Sequence, residues 1–489
     1  MTPRRAAARA SRSGAVSAPA AALARAILVV ALVLIAGFQP GPLAIQRDYR
    51  SAQAATTAKN YAAAADALAD AAARLPYSGY AANRAGLAEI SAGRFDEAIR
   101  HLFIAAALDG WTTARRVALG DAYLGKGDNN AALAQWEAAL AADPNDDGLL
   151  ARLANQYEAA GRYAEAVNVL NQLTQLRPKD PAVYYRLALL TAATAPEDAP
   201  ARLALAAGIA PNLAPATQTL IDAIQAGQAA GDRAAMFGKV GYALIQLSEW
   251  RLAQEALTHA VTLNPQYADA FAYLGLALDR QNQDGLVDYE TAVKLAPQSP
   301  LVQYLLGLHW RRAGNSDTAL PYLLAAQKLD PQNPAIAAEI GGAYASTGDL
   351  PNGEVWLSQA VKLDDHNPQW WLLLAKFYLD NVYHVAELGL PAARRAAELD
   401  PKSGPAADAL GYALVLTGDL VDGEKTLQQA LTLGGDSAST YYHLGVLYQQ
   451  QKRNPEAEAA YKHALSLDPD GFYGGLTLKA LGALTPASP

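Results

Sequence analysis

The sequence predicts an all-α chain built from one repeated helix–turn–helix unit, and three observations carry that prediction. Glycine or alanine recurs about every 34 residues at one register: Ala52, Gly86, Gly120, Ala154, Ala188, Gly241, Gly275, Gly307, Gly341, Ala375, Gly411 and Gly445. A second register is alanine in every unit but one: Ala71, Ala105, Ala139, Leu173, Ala206, Ala260, Ala292, Ala326, Ala360, Ala396, Ala430 and Ala464. Proline closes nine of the units, at Pro76, Pro144, Pro178, Pro211, Pro265, Pro297, Pro331, Pro401 and Pro469.

The unit running from Thr113 to Pro144 shows why this spacing means helices. With Thr113 as position 1, positions 4, 7, 8 and 11 share one face of a first helix. Positions 20, 24 and 27 share one face of a second. Small residues at 8, 20 and 27 let two backbones approach closely, and large ones at 4, 11 and 24 fill the remaining space. Glycine at position 15 ends the first helix in a conformation that glycine adopts cheaply. Proline at position 32 stops the second helix. The acids just before that proline (Asp143, Asp330, Asp400, Asp468) belong to the turn.

Leu119-Gly120-x2-Tyr123 with Ala132-x3-Trp136 and Pro144 resembles the tetratricopeptide repeat, as does Leu444-Gly445-x2-Tyr448 with Ala457-x3-Tyr461 and Pro469. The resemblance covers roughly residues 45–471. It implies a right-handed α-solenoid of about twelve units whose concave face binds a protein or peptide partner. Units are expected to begin near residues 45, 79, 113, 147, 181, 234, 268, 300, 334, 368, 404 and 438, the tenth being longer than the rest. Residues 214–233 fit no unit and read as an additional helix. A break is therefore expected between a block of five units (45–213) and a block of seven (234–471). Gly474 to Leu484, within the 472–489 tail, reads as a capping helix over the last apolar face.

The N-terminus has a different composition. Residues 1–25 are basic and free of acids, and Ala26 to Phe38 is an unbroken apolar run before Gln39-Pro40-Gly41-Pro42. This reads as a signal anchor at 26–38 behind a basic cytoplasmic leader, with a cleaved signal peptide as the alternative. Either way the repeat array is expected on the extracytoplasmic side. A bacterial-type source is read from the short basic leader. Five arginines in residues 1–38 leave 34 basic side chains against 47 acidic ones elsewhere, a net of −13. Such a body repels a phosphate backbone, so nucleic acid is not an expected partner.

Catalytic chemistry finds no constellation to stand on. The absence of cysteine removes thiol nucleophiles and thiolate metal sites. Gly120-Asp121-Ala122-Tyr123-Leu124-Gly125-Lys126 comes close to a phosphate loop. Gly127 follows the lysine where a hydroxyl is needed, however, and Gly120 lies mid-helix. The seven histidines lack metal-ligand spacing and read as solvated helix residues. No enzyme activity, metal or cofactor is expected. The expected function is a non-catalytic binding scaffold of the cell envelope. The alternative is an accessory subunit of an envelope polysaccharide or glycan-synthesis complex.

The resemblance also locates the partner-facing residues, because first-helix positions 2, 5, 6, 9, 12 and 13 tend to face the groove in that family. Position 6 carries Arg50, Arg84, Arg152, Arg186 and Lys239 in five of the first six units. Positions 5 and 9 add Tyr185, Tyr242, Tyr304, Tyr412 and Tyr442. A basic ladder of this kind suits an acidic segment of a partner. The competing reading is that the arginines pair with acids of neighbouring helices.

Overall fold

In the computed structural model, which describes residues 41–484, the described chain is entirely helical, with 26 α-helices and no strand. The chain forms two compact units. One runs to Thr191 and takes in Ala204–Leu213; the other joins Ala192–Leu203 to Ala214 and the residues after it. The leader and apolar run at 1–38 lie outside the described residues. Among those described, no helix is long and apolar enough to cross a membrane.

Helices of the first unit alternate as antiparallel pairs: α1 (Gly41–Thr57) with α2 (Tyr61–Arg74), α3 (Gly79–Ser91) with α4 (Phe95–Asp109), and α5 (Thr113–Lys126) with α6 (Asn129–Ala142). The pair α7 (Asp147–Ala159) and α8 (Tyr163–Leu176) follows, and α9 (Pro181–Thr194) and α10 (Ala199–Ile209) come next, each with residues in both units. After α11 (Ala214–Ala230), the second unit pairs α12 (Arg233–Gln246) with α13 (Trp250–Leu263) and α14 (Ala268–Asp279) with α15 (Leu286–Leu295). It continues with α16 (Pro300–Arg312) and α17 (Ser316–Leu329), α18 (Pro334–Ser346) and α19 (Leu350–Leu363), and α20 (Pro368–Asp380) and α21 (Leu390–Leu399). It ends with α22 (Gly404–Leu416) and α23 (Leu420–Gly434), α24 (Ala438–Gln450) and α25 (Asn454–Leu467), and a final α26 (Phe472–Leu484).

The contact inside each pair is the one that the small-residue register prescribes. Gly120 faces Trp136: a methyl group at Gly120 would collide with the indole, which is buried and donates from Nε1 to the Val117 carbonyl at 3.1 Å. Gly445 faces Tyr461 in the same way. Leucine takes the position-24 place at Leu102, Leu257, Leu323, Leu357 and Leu427, all buried. Burying such a side chain contributes about 1.5–3 kcal/mol, so this one contact, repeated, makes up much of the core.

The turn between paired helices also repeats. Position 15 has positive φ in eleven of the twelve units. Six are glycines (Gly93, Gly127, Gly161, Gly314, Gly348, Gly418), and five are Lys59, Ser248, Asn282, Val382 and Lys452. Asp128, Asp349 and Asp419 then cap the second helix of their pairs. The longer tenth unit absorbs its extra residues as a π-helical turn, Val385–Gly389, entered through His384 at φ 48°.

Candidate functional site

The basic ladder separates into two kinds of arginine. Arg152 and Arg186 are already paired. The Arg152 guanidinium sits on Asp121, and Arg186 Nε donates to Glu158 at 2.7 Å. Each acid lies on the first helix of the preceding pair, so these residues tie α5 to α7 and α7 to α9.

Arg50 and Arg84 are placed differently. Both line a cleft of about 770 Å³ with Pro42, Ile45, Gln46, Tyr49, Gln53, Thr56 and Thr57, and no acid is among the lining residues. Arg50 is exposed and makes no ion pair among the described residues. Arg84 lies over the Tyr49 ring, 5.2 Å from its centre, and its Nη1 donates to the Tyr80 hydroxyl at 3.4 Å. Burial and the neighbouring Tyr80 raise the Tyr49 phenol, against a smaller opposing pull from Arg84. It therefore stays a neutral hydroxyl that can donate. Asp48, the nearest buried acid on α1, is turned away and accepts from Arg74 Nε at 2.9 Å. The cleft is an open cationic notch with hydroxyl groups and an aromatic wall, suited chemically to a carboxylate.

The remaining candidates lie in the second unit or outside this cleft. Lys239 is exposed, and Tyr242 tilts against Tyr273 with ring centres 4.9 Å apart. Tyr185 and Tyr304 are half-buried, and burial pushes the Tyr304 phenol up to about 12. Tyr442 packs among Tyr461 and Tyr473. Tyr412 is only 7% exposed and stacks on His443, 3.7 Å between ring centres.

The histidine expectation needs correcting. His443 is 4% exposed, with Nδ1 2.9 Å from Asp408; His309 bonds to Asp279 at 2.9 Å and His101 to Glu89 at 2.8 Å. These three are acid-bonded packing residues. His259, His366, His384 and His463 are the more open ones. Burial raises the Asp408 carboxyl, but the charge and hydrogen bond of His443, with those of Ser439 and Thr440, outweigh it and hold Asp408 below the usual carboxylate range. Among the described residues no group of three or more such side chains is placed to hold a metal ion.

Tyr49 and Tyr80 were not singled out in the sequence, although both occupy expected groove positions (5 and 2) of their units. The missing step was to combine positions across two units, since the cleft exists only where α1 and α3 lie side by side.

Paired helices with a small residue, glycine or alanine, opposite a large one in each pair, stacked through their first helices, define a helical-repeat protein. Tetratricopeptide repeat models match residues 123–191, 280–334, 311–377 and 438–470, so these segments are tetratricopeptide repeats. No curated protein sequence matches it. Solved structures similar to it include yeast Tom70, at 16% identity over 83% of this chain and 95% of that one, with TM-score 0.38. The Cut9–Hcn1 hetero-tetramer of APC/C is similar at 13% identity, over 90% and 96%, with TM-score 0.45. A tetratricopeptide repeat protein from Parabacteroides merdae is similar at 14% identity, over 52% and 98%, with TM-score 0.42.

Proposed function

We propose that this protein is a non-catalytic scaffold of the cell envelope. In this reading residues 26–38 anchor it, and its Arg50–Arg84 cleft holds an acidic segment of a partner protein. The observation that carries the reading is the cleft itself: in a body of net charge −13, Arg50, Arg84 and Tyr49 converge where no acid lines the wall. Elsewhere in the ladder the arginines are consumed by their own acids. The exposed Arg50 guanidinium, which makes no ion pair among the described residues, has free donors, and a carboxylate is the partner that satisfies them best.

The test uses a fluorescein-labelled octapeptide rich in glutamate and the full chain in detergent. Wild-type protein is expected to bind it, more weakly as salt rises. Arg50→Ala with Arg84→Ala is expected to lose about tenfold or more in affinity and most of the salt dependence. Arg152→Ala with Arg186→Ala is expected to bind unchanged. Equal binding by wild type and the Arg50/Arg84 double variant would rule the cleft out.

A further inference from the structure

The helix that fits no repeat forms one wall of a second pocket. Thr219, Ala223 and Ala226 on α11 face Gly238, Lys239, Tyr242, Ala243 and Gln246 on α12, and Tyr267, Asp269 and Tyr273 at the start of α14 complete a cavity of about 290 Å³. All of these residues belong to the second unit. The inserted helix presents a small-residue stripe at spacings of four and three, which leaves space where a larger helix face would fill it. Its approach is close, because the Cβ position of Gly227 is taken up by Met236. The floor is equally specific: Tyr267 lies directly over Gly238, where any side chain would displace the ring.

The Thr219 hydroxyl is spent on the Pro215 carbonyl, but the charged and phenolic groups of this pocket are not. Among the described residues, the Lys239 ammonium, the Asp269 carboxylate and the hydroxyls of Tyr242, Tyr267 and Tyr273 make no hydrogen bond or ion pair with the rest of the chain. That contrasts with the acids of the first-helix stack, where Asp121, Glu158, Asp279 and Asp408 each have a partner. Asp269 is open at the mouth, yet the surrounding rings exclude enough water to raise its carboxyl, and no cation lies close enough to offset this. Tyr242 and Tyr273 offer a tilted pair of ring faces beside it. A carboxylate with no cation, flanked by aromatic faces, is complementary to a flat or alkylated cation. The volume admits one long side chain and excludes a folded element.

We propose that this pocket takes one arginine or lysine side chain of a bound peptide, its cation on Asp269 and its stem along Tyr242 and Tyr273, while Lys239 at the rim pairs with an acid next to it. The inference rests on the binding-scaffold reading but not on the Arg50–Arg84 cleft, since the two sites lie in different units and prefer opposite charges.

The test pans the full chain in detergent against a positional-scanning octapeptide library. Wild-type protein is expected to retain peptides with arginine or lysine at one position about tenfold better than those with glutamine there. Asp269→Asn, an isosteric change at an open position, is expected to remove that preference, and Asp269→Glu to keep it. Lys239→Ala is expected to keep the basic preference and lose the acidic one at adjacent positions. The Arg50→Ala, Arg84→Ala double variant is expected to keep both, so failure of the N-terminal cleft is read separately. No basic preference in the wild type, or the same preference in Asp269→Asn, overturns the proposal. Circular dichroism of each variant confirms that the helices are intact.

Discussion

The two compact units join successive repeats with different weights on charge pairs and aromatic rings, although the second also has a first-helix pair of the charged kind, Arg311 to Glu339. In the first, neighbouring first helices are tied by arginine–carboxylate pairs: Arg152 to Asp121 and Arg186 to Glu158. More such links run along its flanks, including Arg162 to Glu137 and Arg94 to Asp66. In the second, aromatic rings do much of this work. Tyr242 meets Tyr273, Tyr289 meets His309, and Tyr412, His443 and Tyr473 form one cluster. The same backbone register thus supports either a charge ladder or a ring ladder. The choice sets which reagent weakens each unit and which ligand each unit can hold.

The largest expected difference is at alkaline pH. In the second unit burial raises the phenols of Tyr267, Tyr273, Tyr289, Tyr304, Tyr378, Tyr412, Tyr442, Tyr461 and Tyr473, with Tyr304 and Tyr378 pushed up to about 12. In the first, Tyr49 and Tyr157 are raised, the latter also to about 12. A raised folded value contributes stability that is fully present below the unfolded value near ~10 and is lost as pH rises through the folded one. The second unit is therefore expected to open first between about pH 10 and 12, seen as earlier loss of protection in region-resolved hydrogen exchange. Equal loss in both units would remove the ring-ladder account.

Next in size is the Asp408–His443 pair. Asp408→Asn breaks the buried bond between the Asp408 carboxylate and His443 and is expected to cost about 3–5 kcal/mol, concentrated in α22, α24 and α26. Because the folded Asp408 carboxyl is depressed, its contribution is present above about pH 4 and fades as pH falls through the lower folded value. Thermal melts of wild type and variant should therefore converge in acid.

Two smaller effects refine the comparison. Val382 is a β-branched residue held at φ 46°, so Val382→Gly is expected to stabilise the tenth unit by about 1 kcal/mol. Arg152→Ala and Arg186→Ala are expected to cost about 0–1 kcal/mol each, less at high salt, because Arg152 is half-exposed and Arg186 about a third. A cost well above that would mean that the charge ladder, rather than the small-residue core, holds the first unit together.

The sequence revealed what recurs and concealed what happens once. Gly120 against Trp136 was legible because position 8 meets position 24 inside one hairpin, and the same pair of registers repeats along the chain. Left-handed turns were legible at Gly127 and its equivalents, but not at Lys452 or Val382, where stacking imposes the conformation on an unsuited residue. Position 6 was legible as basic. Whether each arginine was free depended on an acid about thirty residues away on the preceding helix, such as Asp121 for Arg152. The histidines were misread for the same reason: Asp408 precedes His443 by 35 residues and meets it only through stacking. Tyr267 sits in a turn outside the helical register, and its role depends on Gly238 in the preceding pair.

The most direct test of the account is to map where an acidic peptide sits on the intact protein. A glutamate-rich octapeptide carrying a photo-crosslinker is bound to the full chain at low and high salt, and the attachment sites are identified by mass spectrometry. The account predicts attachment within α1 and α3, around Arg50 and Arg84, falling as salt rises and lost in the Arg50→Ala, Arg84→Ala double variant. Attachment confined to the tyrosine-rich second unit, or unchanged in that variant, would contradict it.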